Sequence, residues 1–126
     1  MEVETSLIGD VVVLKLIGEL TSRNPLSSVF WSHLHRGQSK FVVNLERVRA
    51  INSVGLNSLL DFKRLSEAAG GGIILCSVCD EVKGILKSTG IEEVFAVFDD
   101  EEPALAGFIK GLPSMSSHSS VSRYRN

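Results

Sequence analysis

The amino-acid sequence predicts an α/β domain, a mixed and mainly parallel β-sheet of about five strands packed with about four helices. Three observations predict it. Residues 11–17, 41–45 and 73–77 are short β-branched or apolar runs, too uniformly apolar for strands wetted on one face. Amphipathic stretches with apolar residues at helical spacing separate them. The elements alternate as β-β-α-β-α-β-α-β-α, the order that right-handed crossovers turn into a layered sheet.

Residues 3–7 alternate weakly and read as an edge strand, with Gly9-Asp10 as the turn into residues 11–17. Gly18-Glu19-Leu20 then leads out into a polar segment. Asn24-Pro25 reads as an N-cap followed by proline at the first helical position. Leu26, Val29, Phe30 and Leu34 follow on one face, and Gly37 stops that helix. Residues 41–45 form a buried strand and residues 46–52 a loop.

The second helix starts near Ser53 and runs to about Ala69. Leu56, Leu59, Phe62, Leu65 and Ala69 make its apolar stripe, with Asn57, Asp61 and Arg64 opposite. Gly70-Gly71-Gly72 ends it. That triplet follows a helix and enters a strand, the reverse of a phosphate-cradling loop, and no Gly-Lys-Ser/Thr accompanies it. A strand at residues 73–77 precedes a helix opened by Cys79 or Asp80, carrying Val82, Ile85 and Leu86 and stopped by Gly90. Residues 94–98 give the last strand. Pro103 starts the last helix, with Leu105, Phe108 and Ile109 inward and the acids at 99–102 suited to its N-terminus.

The chain has 126 residues, read as one domain body over residues 1–111 and a Ser-rich flexible tail over residues 112–126. A body of that size, in a chain 44% hydrophobic, can bury a core without metal or disulfide staples. A net charge of −2 with mixed signs leaves no basic stripe for nucleic acid. No apolar run approaches the roughly 20 residues of a membrane span. The N-terminus lacks a signal-peptide layout, and two cysteines without export signals point to free thiols in the cytoplasm.

The stretch Ile51-Asn52-Ser53-Val54-Gly55-Leu56 carries the most chemistry. Strand, short loop and then serine at a helix mouth place a hydroxyl where backbone N–H groups point outward. A phosphate there would sit at the positive end of the helix dipole. Gly55 lets another backbone approach closely. The plainer role for Ser53 is a helix cap, which serine fills very often.

Asn52-Ser53-Val54-Gly55-Leu56 resembles the Asp-Ser-Ser/Thr-Gly-Leu signature of STAS domains in bacterial anti-sigma factor antagonists. Gly18-Glu19-Leu20 is similar to the family's Gly-Glu-Leu/Ile-Asp, Asn44 to Val48 to its strand end, and Ser88-Thr89-Gly90-Ile91 to its helix exit. The resemblance implies the STAS fold over residues 1–111 and makes Ser53 the phosphoacceptor. It implies a surface of Thr21, Ser22, Asn52, Ser53, Val54, Gly55, Leu56 and Asn57 that binds an anti-sigma factor, itself a serine kinase, with a PP2C-type phosphatase restoring the unmodified form. No Ser/His/Asp ordering and no pair of buried carboxylates can be placed, so no catalytic residue, cofactor or metal is expected, in a monomer or weak dimer. Asn52 and Thr21 depart from the pattern, each standing where the family carries Asp. The neighbouring alternative is a STAS subunit that docks onto a transporter, lipid-transfer or signalling complex without phosphorylation.

Cys76-Ser77-Val78-Cys79 is a lone C-x-x-C, open to a redox reading but without further ligands for zinc. His33 and His35, two apart on a helix, diverge and make a poor metal pair. Trp31 lies off the apolar stripe, either an exposed anchor or partly covered by the tail or a loop.

Overall fold

The computed structural model describes residues 1–109. The expected tail at 112–126, and the boundary before it, lie outside them. The elements are β1 (Glu2–Ile8), β2 (Val11–Leu20), α1 (Leu26–His35), β3 (Lys40–Ile51), α2 (Ser53–Ala68), β4 (Gly72–Cys76), α3 (Asp80–Ser88), a 3-10 turn (Ile91–Glu93), β5 (Ala96–Phe98) and α4 (Glu101–Ile109). The five strands form one sheet in the order β1-β2-β3-β4-β5, antiparallel between β1 and β2 and parallel from β2 onward. The α/β class, the element order and the mainly parallel sheet match the expectation.

Alternation along the strands divides the core. Val12, Leu14, Leu16, Phe41, Val43, Leu45, Ile73 and Leu75 pack with α1, α2 and α3. Val11, Val13, Val42, Ile74 and Cys76 pack on the other face with α4 through Ala104, Leu105 and Phe108. A strand buried on both faces cannot alternate apolar and polar residues, which is why residues 11–14 are continuously apolar. Gly71 lets β3 meet the end of α2, since a Cβ there would stand 2.0 Å from the Ser39 carbonyl oxygen. Among the described residues no helix is long and apolar enough to cross a membrane.

Four local expectations change. Residues 46–51 are not a loop: β3 runs on to Ile51, paired with the end of β2 through two register shifts. Their charges hid the strand, because Glu46, Arg47 and Arg49 are exposed while Val48 and Ile51 are buried on the helix side. The last strand is shorter than residues 94–98. Val94 is exposed and Phe95 turns into the core, so only Ala96–Phe98 pair with β4.

Asn24 is not the N-cap of α1. Pro25 occupies that position without a side-chain cap bond, and Asn24 Oδ1 accepts a long 3.5 Å bond from Ser28 Oγ instead. The last helix opens at Glu101, two residues before Pro103. There Glu101 Oε2 accepts from Asn44 Nδ2 at 2.7 Å, and Asn44 Oδ1 accepts from the Glu46 N–H at 2.8 Å. Asn44 is thus buried with its polar groups engaged, tying α4 to the central strand.

Candidate functional site

Parallel pairing of β2 with β3 brings two distant pieces of sequence to one edge. Leu20 lies opposite Ile51, so the chain leaves both strands side by side, at Thr21 and at Asn52. Asn52 joins them. Its backbone N–H donates to the Leu20 carbonyl at 3.3 Å, and its side-chain Nδ2 donates to the Thr21 carbonyl at 3.4 Å. Its Oδ1 accepts from the Gly55 N–H at 3.0 Å, the bond of a helix N-cap.

Asn52, not Ser53, therefore caps α2. Ser53 is the first helical residue, exposed, and its hydroxyl makes no hydrogen bond among the described residues. The capping role first open to Ser53 is filled by its neighbour, which leaves the serine oxygen free at the positive end of the helix.

Gly55 is required by the same junction. A Cβ on it would stand 2.1 Å from the Leu20 carbonyl oxygen and 2.9 Å from Leu20 Cγ. Only the absent side chain lets the first turn of α2 close onto the end of β2. Gly55 and Leu56 are both buried; they support the surface and are not part of it. The exposed members of the set are Thr21, Ser22, Asn52, Ser53, Val54 and Asn57. Val54 is 42% exposed, an apolar side chain beside the serine. Ser22 turns its hydroxyl to the Asn24 carbonyl at 2.9 Å.

The surface holds little charge at its centre. No acid lies in the first turn of α2. Charge begins two turns on, at Asp61, which accepts from Arg23 at 2.8 Å and also from Arg64. These two guanidiniums hold the Asp61 carboxyl below the usual carboxylate range. The cluster was not legible from spacing, since Arg23 lies in a polar loop 38 residues from its partner.

The other candidates resolve into structure. Cys76 is buried in the sheet, and burial pushes its thiol up to about 11, away from thiolate chemistry. Cys79 donates its S–H to the Val48 carbonyl at 3.3 Å. His33 Nδ1 lies 2.6 Å from Gln38 Oε1, a hydrogen-bonded pair at the end of α1. Among the described residues no cluster of three or more His, Cys, Asp or Glu could hold a metal.

Taken together these features define a small α/β domain whose distinctive surface is a capped helix start with a free hydroxyl, built where two parallel strands end. The STAS domain model matches residues 2–104, and the chain belongs to that family. It is 25% identical over 115 residues to BtrV of Bordetella bronchiseptica, whose name proposes an anti-sigma factor antagonist, covering 90% of this chain and 99% of that protein. A Thermotoga maritima structure with a name of the same kind overlays with a TM-score of 0.77 at 22% identity, over 86% of this chain and 95% of that one. The anti-sigma factor antagonist SpoIIAA, a Bacillus cell fate determinant solved in unphosphorylated and phosphorylated forms, overlays with a TM-score of 0.67 at 19% identity. The overlay on its unphosphorylated form covers 88% of this chain and 100% of that one. The fold likeness extends beyond sigma-factor regulators. A sulfate transporter family protein from Wolinella succinogenes overlays with a TM-score of 0.66 at 23% identity, over 80% of this chain and 86% of that one.

Proposed function

We propose that this chain is an anti-sigma factor antagonist, a cytoplasmic binding module that sequesters an anti-sigma factor and so frees a sigma factor for transcription. The partner is a serine kinase, and Ser53 is the residue it phosphorylates. The docking surface is the exposed set Thr21, Ser22, Asn52, Ser53, Val54 and Asn57. One observation carries the reading: the Ser53 hydroxyl stands exposed and unengaged at the start of α2, beside exposed Val54.

The switch follows from electrostatics. A phosphate on Ser53 adds about −1.5 to −2 charges at pH 7. On a largely neutral docking patch that charge must be desolvated against a partner shaped for a hydroxyl, which opposes the complex. The same phosphate suits the free protein, because it faces the helix N-terminus with no carboxylate in that first turn. A PP2C-type phosphatase would then return the chain to its binding form.

The test is to incubate the protein with ATP and candidate anti-sigma kinases and to map phosphate by mass spectrometry, with Ser53→Ala as control. Labelling at Ser53, and loss of kinase binding in Ser53→Asp, are the expected results. The likeness to a transporter-family protein and the neutral Asn52 and Thr21 favour one alternative, constitutive docking without phosphorylation. Absence of label, with Ser53→Asp binding its partner unchanged, would establish that alternative in place of the switch.

A further inference from the structure

The sheet ends in two unlike edges. On one side β5 is three residues long, too short to template another strand. On the other, β1 offers seven residues, Glu2–Ile8, and among the described residues no strand pairs with its outer edge. Its pairing with β2 runs from Glu2 to Ile8 without a bulge, and it holds no proline or lysine, so the usual devices that blunt an edge are missing. Alternate backbone N–H and C=O groups along it therefore point to water. Leu7 and Ile8, 55% and 45% exposed, add apolar side chains to the same strand.

We propose that β1 pairs antiparallel with β1 of a second copy of this chain, in the register that sets Thr5 against Thr5. Symmetry narrows the choice. A two-fold axis between antiparallel strands stands normal to the sheet and keeps every side chain on its own face. Residues that meet across it must share a face, so the pairing is centred on a residue and not between two. The same condition brings the outward-pointing backbone groups of one strand onto those of the other. Centred on Thr5, all seven residues engage, with Val3 against Leu7, Glu4 against Ser6 and Glu2 against Ile8. Centred on Glu4, two like charges would stand directly opposed. Centred on Ser6, only residues 4–8 would engage.

The strand is thus complementary to itself. Its acids lie in the first half and its exposed apolar residues at the end, and antiparallel pairing interleaves the two. Val3, packed against the helix-side core, meets Leu7 of the second copy on that same face, so the core continues across the axis and Leu7 is covered. The two five-stranded sheets become one. Reversal of strand direction sends the two Ser53 surfaces, at the C-terminal ends of β2 and β3, to opposite sides of the joined sheet, and both stay accessible. A contact confined to one strand pair falls below the roughly 1,200 Å² of a standard stable interface, so the dimer is weak and forms with concentration.

Sedimentation velocity across roughly 10 µM to 1 mM, the range suited to a weak contact, tests the pairing together with amide hydrogen exchange at both ends of that range. A rising dimer fraction with slowed exchange in β1 is expected. Thr5→Lys should stay monomeric, because two lysines then oppose each other at the axis. Ser6→Lys meets Glu4 of the second copy twice in each dimer and should tighten it roughly 2- to 30-fold. Thr5 and Ser6 are exposed, so far-UV circular dichroism should show both variants folded as the wild type. A chain still monomeric at the highest concentration would overturn the proposal and leave the edge to another protein's strand. So would a dimer that Thr5→Lys leaves intact, or one whose β1 amides exchange as fast as in the monomer, since another surface would then hold it. A dimer that Ser6→Lys fails to tighten would overturn the register centred on Thr5. None of these measurements involves Ser53 or a kinase, so the outcome is independent of the function proposed above.

Discussion

Two helical glycines should respond oppositely to alanine, one at the junction that builds the Ser53 surface and one in open space. In α2, an alanine at Gly55 would bring its Cβ to 2.1 Å from the Leu20 carbonyl oxygen and 3.0 Å from its carbonyl carbon. Both are backbone atoms of a buried strand end and cannot rotate away. Restoring ordinary contact, near 3.4 Å, requires about 1.3 Å of movement between the start of α2 and β2. That movement also strains the Asn52 cap and its bond to Thr21. Such overpacking typically costs about 1–3 kcal/mol, against roughly 1 kcal/mol gained when alanine replaces glycine in a helix. Gly55→Ala should therefore be destabilised by up to about 2 kcal/mol, which lowers Tm by several degrees in a domain of this size. In α3, a Cβ on Gly84 meets nothing within 4 Å. Gly84→Ala should gain about 0.5–1 kcal/mol from helix propensity alone. Urea unfolding followed by far-UV circular dichroism measures both. If Gly55→Ala proved as stable as Gly84→Ala, the close approach of α2 to β2 would be wrong, and with it the placement of Ser53.

Asn52→Ala should cost about 1 kcal/mol through loss of the cap, while Ser53→Ala should stay within about 0.5 kcal/mol because its exposed hydroxyl holds nothing. The same urea titrations check this, and the reverse order would make Ser53 the cap. Asp61 has a folded pKa depressed chiefly by hydrogen bonds from Arg23 and then Arg64. Its contribution to stability is present above its unfolded value of 3.8 and lost as pH falls below about 4. The wild-type stability minus that of Asp61→Asn should decline across that acid range, and a flat difference would deny the pairing. Burial places the Cys76 thiol at about 11 in the fold. Because this pKa is raised, the stabilisation is full below the ordinary value near 9 and is lost as pH climbs toward 11. At pH 8, thiol reagents should label native Cys76 far more slowly than the urea-unfolded chain; equal rates would contradict its burial.

The fold was legible because its signals are local and redundant. Continuous apolar runs such as residues 11–14, helical stripes such as Leu56, Leu59 and Phe62, and glycine stops at Gly37, Gly70 and Gly90 each report directly on backbone geometry. What stayed hidden depended on tertiary context. Glu46, Arg47 and Arg49 look like a loop until β2 is seen to pair with Arg47, Val48, Ala50 and Ile51 while the three charged side chains stay exposed. The division of labour between Asn52 and Ser53 was ambiguous because both residue types cap helices well. Only the bond to the Gly55 N–H separates them. Burial of Gly55 likewise depends on Leu20, 35 residues away, which no spacing rule reaches.

Asn52 gains from being an amide. An N-cap needs an acceptor, and the neighbouring strand end offers a carbonyl, which needs a donor. A carboxylate at this position could accept from Gly55 but could not donate to Thr21, whereas the amide does both at once. The exchange removes a negative charge from the start of α2 and replaces it with a direct link between the helix cap and the end of β2. Thr21, the other position where the family carries an acid, contributes its backbone carbonyl to that link and leaves its side chain exposed. Two carboxylates at adjacent strand ends would repel each other and any phosphate on the intervening serine. Here that repulsion is absent and the junction is closed by hydrogen bonds. The two departures from the family pattern thus belong together, as a single neutral solution to joining β2, β3 and α2 around an exposed serine.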